Sequence, residues 1–166
     1  MSLIKALYII AIGLLIAAFI GFGVDTFYPS PKMPEYPTEL QYKSEPLSTE
    51  FQQKQKDFDK QQKEYENKLS KYNQNLSVIL ITFAMIILAA SLVGLSKLDV
   101  IGDGATLGGV FTLLYGIGRA FGSEEAKFRF MAVTAALVII LGLTYWRFLK
   151  EQFPLTSLQK SSKKKK

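Results

Sequence analysis

Residues 49–96 read TEFQQKQKDFDKQQKEYENKLSKYNQNLSVILITFAMIILAASLVGLS. The stretch from 49 to 75 holds no Gly or Pro and is rich in Lys, Gln and Glu, a composition that favours helix. Thr49 with Gln52 three positions on matches a capping box. From Leu76 to Ser96 no side chain is ionisable. No breaker separates the halves, so one unbroken helix of about 72 Å is predicted. Its apolar half crosses a bilayer and its polar half projects about 40 Å beyond. The polar half carries an aromatic stripe: Phe51, Phe58, Tyr65 and Tyr72 recur every seven residues. Four residues beyond each lie Gln55, Gln62, Leu69 and Leu76, the second line of a heptad seam. Phe51, Phe58, Tyr65, Leu69 and Tyr72 form the expected extracytoplasmic contact seam.

A lone helix with a bare seam is marginal in water, so something should cover it. Just upstream, residues 29 to 37 contain four prolines, which hold the chain extended. A polyproline-like segment of this length reaches up the helix and back at about 3.1 Å per residue. Tyr28, Met33, Tyr36, Leu40 and Tyr42 are therefore expected against Phe58, Tyr65 and Tyr72. Tethering favours this intramolecular hairpin. A coiled coil with a second copy and docking to another protein are the alternatives.

Three further uncharged runs mark membrane spans. Ala6 to Val24 is nineteen residues, about 28 Å as helix. A cleaved signal peptide is the rival reading, disfavoured by the length of the run, a single Lys before it and no Ala-x-Ala site after it. Phe130 to Trp146 is the last run, with Ser123 expected as its N-cap, Glu124 and Glu125 in its first turn, and Tyr145 and Trp146 at the interface. Ala105 to Gly118 is only 14 residues before Arg119, so its helix must extend through a flank, thin the bilayer or let the arginine snorkel. Asp103 in Gly102-Asp103-Gly104 is expected to cap it. Ala105, Gly109, Thr112, Gly116 and Ala120 line up on one face, where small side chains let helices approach. Packing within the bundle is the expected use of that groove; a dimer seam is the alternative.

The chain has 166 residues and a net charge of +6. All of that charge comes from residues 147–166, where seven basic side chains meet Glu151 alone. Such a tail fixes the C-terminus on the cytoplasmic side. Four spans then put both termini there and residues 25–75 outside. Arg119, Lys127 and Arg129 in the short turn after the third run go against that rule. Lys163, Lys164, Lys165 and Lys166 suit anionic lipid headgroups, and the plainer reading is a solvated tail that only fixes topology. In a eukaryotic chain the terminal lysines would resemble an endoplasmic reticulum retrieval signal. The basicity has neither the fold nor the stacking aromatics of a nucleic-acid binder.

With no Cys and no His there is no disulfide, thiolate, imidazole base or common transition-metal site. No Lys lies within an uncharged run to build a Ser–Lys pair. The Gly102-Asp103-Gly104 and Leu107-Gly108-Gly109 stretches lack the G-x-x-x-x-G-K-S/T pattern of a phosphate loop. No cofactor, metal or enzymatic activity is expected. Thr82, Thr112, Tyr115 and Thr134 pointing inward together would instead indicate a transport path.

The segment IGDGATLGGVFTLLYGIGRAF, residues 101–121, resembles segments of uncharacterised small multi-pass membrane proteins of bacteria. The likeness runs from about Asp99 to Phe130. It implies a bacterial inner-membrane protein and no activity.

The expected fold is an all-α integral membrane protein with four transmembrane helices and an extracytoplasmic hairpin of a long helix and a polyproline segment. Its order is a first span over 1–24, a Pro-rich segment over 25–48, an amphipathic helix over 49–75 running into a second span over 76–96, a short cytoplasmic turn over 97–104, a Gly-rich third span over 105–121, a fourth over 124–149 and a basic tail over 150–166. The expected role is a structural or accessory subunit of a membrane assembly, with the bilayer, other subunits or a second copy as partners. A small transporter or channel is the alternative.

Overall fold

The computed structural model describes residues 3–36, 49–95 and 98–152, with only the backbone course given from 146 onward. It is a bundle of four helices: α1 Leu3–Phe27, α2 Thr49–Val93, α3 Asp99–Phe121 and α4 Ala126–Gln152. No strand occurs among the described residues. All four helices are long and apolar enough to cross a membrane.

The 45-residue α2 is unbroken, as its lack of internal Gly and Pro requires. At 1.5 Å per residue it is about 67 Å long. The third helix departs from expectation. The residues expected as a turn over 97–104 are helical from Asp99, so Gly102, Asp103 and Gly104 lie within α3. Asp103 therefore does not cap; the cap position is Leu98, with no side-chain bond. The physical reason is length. A helix of 23 residues is about 34 Å long, enough to cross a bilayer, and the short uncharged run reaches that length by extending through its N-terminal flank. The start of α4 is also later than expected. Glu124 and Glu125 precede it and Ser123 lies two residues short of the cap position. The Ser123 hydroxyl instead accepts the Glu125 N–H at 3.2 Å and serves another helix, as described below.

α3 is the centre of the bundle. It packs on α1 along one flank, on α2 along another, and more lightly on α4; among the described residues α1 and α4 do not touch. Glycine makes both main contacts close. A Cβ at Gly104 or Gly108 would sit 2.8 Å from Ile12 or Ile16 of α1. A Cβ at Gly109 would sit 2.6 Å from Leu88 of α2, and one at Gly116 3.1 Å from Leu80. No described glycine has positive φ, so their use here is the missing side chain and not unusual backbone. The partner stripe on α2 is Tyr72, Leu76, Leu80, Ala84 and Leu88, all buried. Ala84, Leu113 and Ala136 form a small second core where α4 joins α2 and α3.

Hydroxyls at these contacts bond to glycine carbonyls of the neighbouring helix. Ser77 Oγ donates to the Gly116 carbonyl at 2.7 Å and Ser91 Oγ to the Gly102 carbonyl at 2.7 Å. Within α3 itself, Thr106 Oγ1 donates to the same Gly102 oxygen at 2.9 Å. In an apolar setting such bonds contribute about 0.6 kcal/mol each.

Candidate functional site

At one end of the bundle three chain segments meet. α1 ends at Phe27, and Tyr28 continues its last turn by donating its N–H to the Val24 carbonyl at 2.8 Å. Pro29 and Pro31 then hold the chain extended. Tyr28 lies flat on Tyr72 of α2, ring centroids 5.1 Å apart and planes 6° from parallel. Tyr72 Oη donates to the Tyr28 carbonyl at 3.1 Å, and Asn75 Nδ2 donates to Tyr28 Oη at 3.0 Å. The strap is thereby anchored to α2 at its first residue. Farther out, Tyr36 meets Phe58 edge-on, with centroids 5.0 Å apart and planes 75° from parallel. Between these anchors Pro31 and Pro34 face Gln61, Glu64, Tyr65 and Lys68 across an open groove of about 310 Å³.

The five seam residues thus share one face of α2. Tyr72 is buried, and Phe51, Phe58, Tyr65 and Leu69 are half-buried. Gln62 on the same face satisfies its Nε2 on Glu66 of its own helix at 3.2 Å. Leu69 and Tyr28 pack against the cluster of Ile20, Tyr72, Leu76 and Leu80. The expected contacts of Leu40 and Tyr42 lie outside the described residues, as do Lys163, Lys164, Lys165 and Lys166. Met33 is mostly exposed.

The turn between α3 and α4 completes this end. Asn73 Nδ2 donates to the Gly122 carbonyl at 3.2 Å, and Gln74 Nε2 to Ser123 Oγ at 2.9 Å. The Glu124 N–H donates to Ser70 Oγ at 3.0 Å. Sequence reasoning passed over this clasp. Its signal was present as Ser70, Asn73, Gln74 and Ser77, a polar row at helical spacing that continues the buried stripe. Nearby, Arg119 donates through Nε and Nη2 to Tyr115 Oη at 3.1 and 3.0 Å, its guanidinium 5.4 Å from that ring's centroid. Burial pushes the Tyr72 phenol above its ordinary value; the Arg119 charge opposes the shift and the Asp25 charge adds to it.

The glycine face lies elsewhere. Ala105, Gly109, Thr112, Gly116 and Ala120 are all buried, and α2 fills that face at Gly109 and Gly116. Those five positions are covered within the single chain, by Leu88 at Gly109 and Leu80 at Gly116. The polar residues of the spans do not converge. Thr82, Tyr115 and Thr134 are exposed on the outside of the bundle, while buried Thr112 donates to the Gly108 carbonyl of its own helix at 2.8 Å. Among the described residues no group of three or more acidic side chains could hold a metal ion.

No protein-family model, curated protein or solved structure matches the chain. The likeness of residues 99–130 to small bacterial membrane proteins gains nothing from these comparisons.

Proposed function

We propose that this chain is an accessory or scaffold subunit of a membrane assembly and that it offers the projecting hairpin to another protein. One observation carries the reading. The buried positions of α2 begin at Ser70, while the strap runs along its outer part, from Tyr28 against Tyr72 to Tyr36 against Phe58. The clasp to the turn between α3 and α4 starts at Ser70, so all of α2 from Thr49 to Leu69 lies outward of it. A stiffened rod reaching past the clasp of its own bundle is suited to contact. The glycine face is no part of the proposal, since α2 occupies it. The same proposal puts the hairpin outside a bacterial inner membrane with both termini in the cytoplasm, a reading supported by the basic charge of residues 147–166.

The transporter alternative is weaker. Thr82, Thr112, Tyr115 and Thr134 would have to face one another, and three of them face outward. The test is site-specific photo-crosslinking in cells. A photoreactive residue at Lys56 or Lys63, both exposed, should yield one discrete protein adduct, and one at Leu137 on the lipid side of α4 should not. Adducts from Leu137 alone, or solute flux from the purified chain in liposomes, would remove the scaffold reading.

A further inference from the structure

Where α1 lies beside α2, on the same face of α2 as the strap groove but farther from its outer end, the two helices leave an open slot of about 350 Å³. Its lining is Phe19, Ile20, Gly23, Val24 and Phe27 of α1, Tyr28 just beyond, and Ile79 and Phe83 of α2. Ile20 is its floor at 8% exposed. The walls are the rings of Phe19, Phe27 and Phe83, which are 80%, 88% and 45% exposed. The volume is within the range of small-molecule sites, about 300 to 1,000 Å³.

We propose that this slot holds one acyl chain of a phospholipid from the leaflet on the hairpin side, as a resident lipid and not as part of the freely exchanging annulus. Three features select that occupant. Both walls belong to helix segments apolar enough to cross the bilayer, so the slot opens sideways onto lipid tails. Apart from Tyr28 no lining side chain can hydrogen-bond, and Tyr28 Oη already accepts from Asn75. A loop or extended peptide placed there would bury unsatisfied backbone groups, whereas a hydrocarbon chain has none. A transmembrane helix of a second copy is also a poor fit. Helices approach closely in lipid over small residues, and here three protruding phenyl rings bar the approach. A flexible chain can thread between them. Gly23 supplies the depth: a Cβ added there meets no atom within 4 Å.

The slot is continuous with the hairpin base, because the Tyr28 that lines it is the ring stacked on Tyr72. The resident chain therefore lies against the strap's anchor. The inference requires that the four helices cross a bilayer; it does not depend on the docking role.

The test uses the full chain purified in mild detergent from bilayers of phosphatidylethanolamine and phosphatidylglycerol, with retained lipid counted by native mass spectrometry. Wild type should carry one tightly held phospholipid. Gly23→Phe, which fills open space and should fold normally by circular dichroism, should carry none. Gly118→Phe is the control, since Gly118 also has no atom within 4 Å of an added Cβ and is remote from the slot; it should keep the lipid. Phe19→Ala adds no volume and strips one wall, so it should shorten lipid retention about tenfold, whatever the folding of the glycine variant. Wild type without lipid, or Gly23→Phe with as much lipid as wild type, overturns the proposal. Efficient disulfide formation between two copies of Gly23→Cys in the membrane overturns it too, because a second chain then fills the slot.

Discussion

Single atoms decide several contacts in this molecule. A Cβ at Gly109 would lie 2.6 Å from Leu88 Cγ, in a place where Leu88 is itself buried and has nowhere to retreat. Gly109→Leu should therefore destabilise the bundle by about 1 to 3 kcal/mol, the usual cost of overpacking. Gly118→Leu should leave stability unchanged. Thermal unfolding of the two variants in one detergent compares them directly; equal midpoints would show that α2 and α3 are not held together at Gly109. Tyr72 offers a second test at this scale. Its phenol keeps its proton more tightly in the folded chain than in the unfolded one, chiefly through burial. Stability from this residue is then constant at neutral pH and up to the ordinary tyrosine value of about 10, and falls as pH rises through the higher folded value. In a phenolate absorbance titration, Tyr72→Phe should remove a late-titrating component, and the loss of stability above that range should shrink with it. The glycine row was legible in the sequence because small residues at spacings of three and four have one common use in a bundle. The Ser70–Ser77 clasp was harder to see, because polar side chains on a polar helix give no hint of which carbonyl they will meet.

Among the elements, α2 and its strap were the most readable. A stretch without Gly or Pro forces continuity, and an aromatic every seventh residue fixes the covered face. The structure then pairs Tyr28 with Tyr72 and Tyr36 with Phe58. The boundaries of α3 were less readable. Gly102-Asp103-Gly104 has the composition of a turn, but burial of both glycines against neighbouring helices outweighs their poor helix propensity of about 1 kcal/mol each. Removing Pro31 to Tyr36 should leave the outer half of α2 uncovered. Amide exchange from about Gln52 to Lys68 should then accelerate, since an uncovered helix frays at little cost. Exchange in α3 and in the inner half of α2 should be unaffected. If the outer half stays protected, another chain covers the seam.

For the whole molecule, the arrangement of the ends carries the topology. Tyr28, Asn73 and Gly122 meet at one end of the bundle, and α2 ends at Val93 and α3 begins at Asp99 at the other. The up-and-down order follows directly from four apolar runs. Which end faces out rests on the basic tail alone. Because the chain has no cysteine, each introduced one is a unique reporter. Glu35→Cys should react with an impermeant maleimide in intact cells, and Leu98→Cys only after the membrane is opened. The reverse pattern inverts the molecule without altering its fold; reaction of both in intact cells breaks the four-span count.

The continuity of α2 also has a mechanical meaning. With its apolar half set in a bilayer and its polar half in water, such a rod would be a lever whose fulcrum is the clasp at Ser70 to Gln74. A bilayer that thins makes a span lean over, as hydrophobic mismatch requires. A lean of about 10° on an outer arm of about 30 Å carries its tip roughly 5 Å sideways. The strap, fastened at Tyr28 and again at Tyr36, would sweep with it. Anything gripping the Thr49 end would thus register the thickness of the membrane as a displacement.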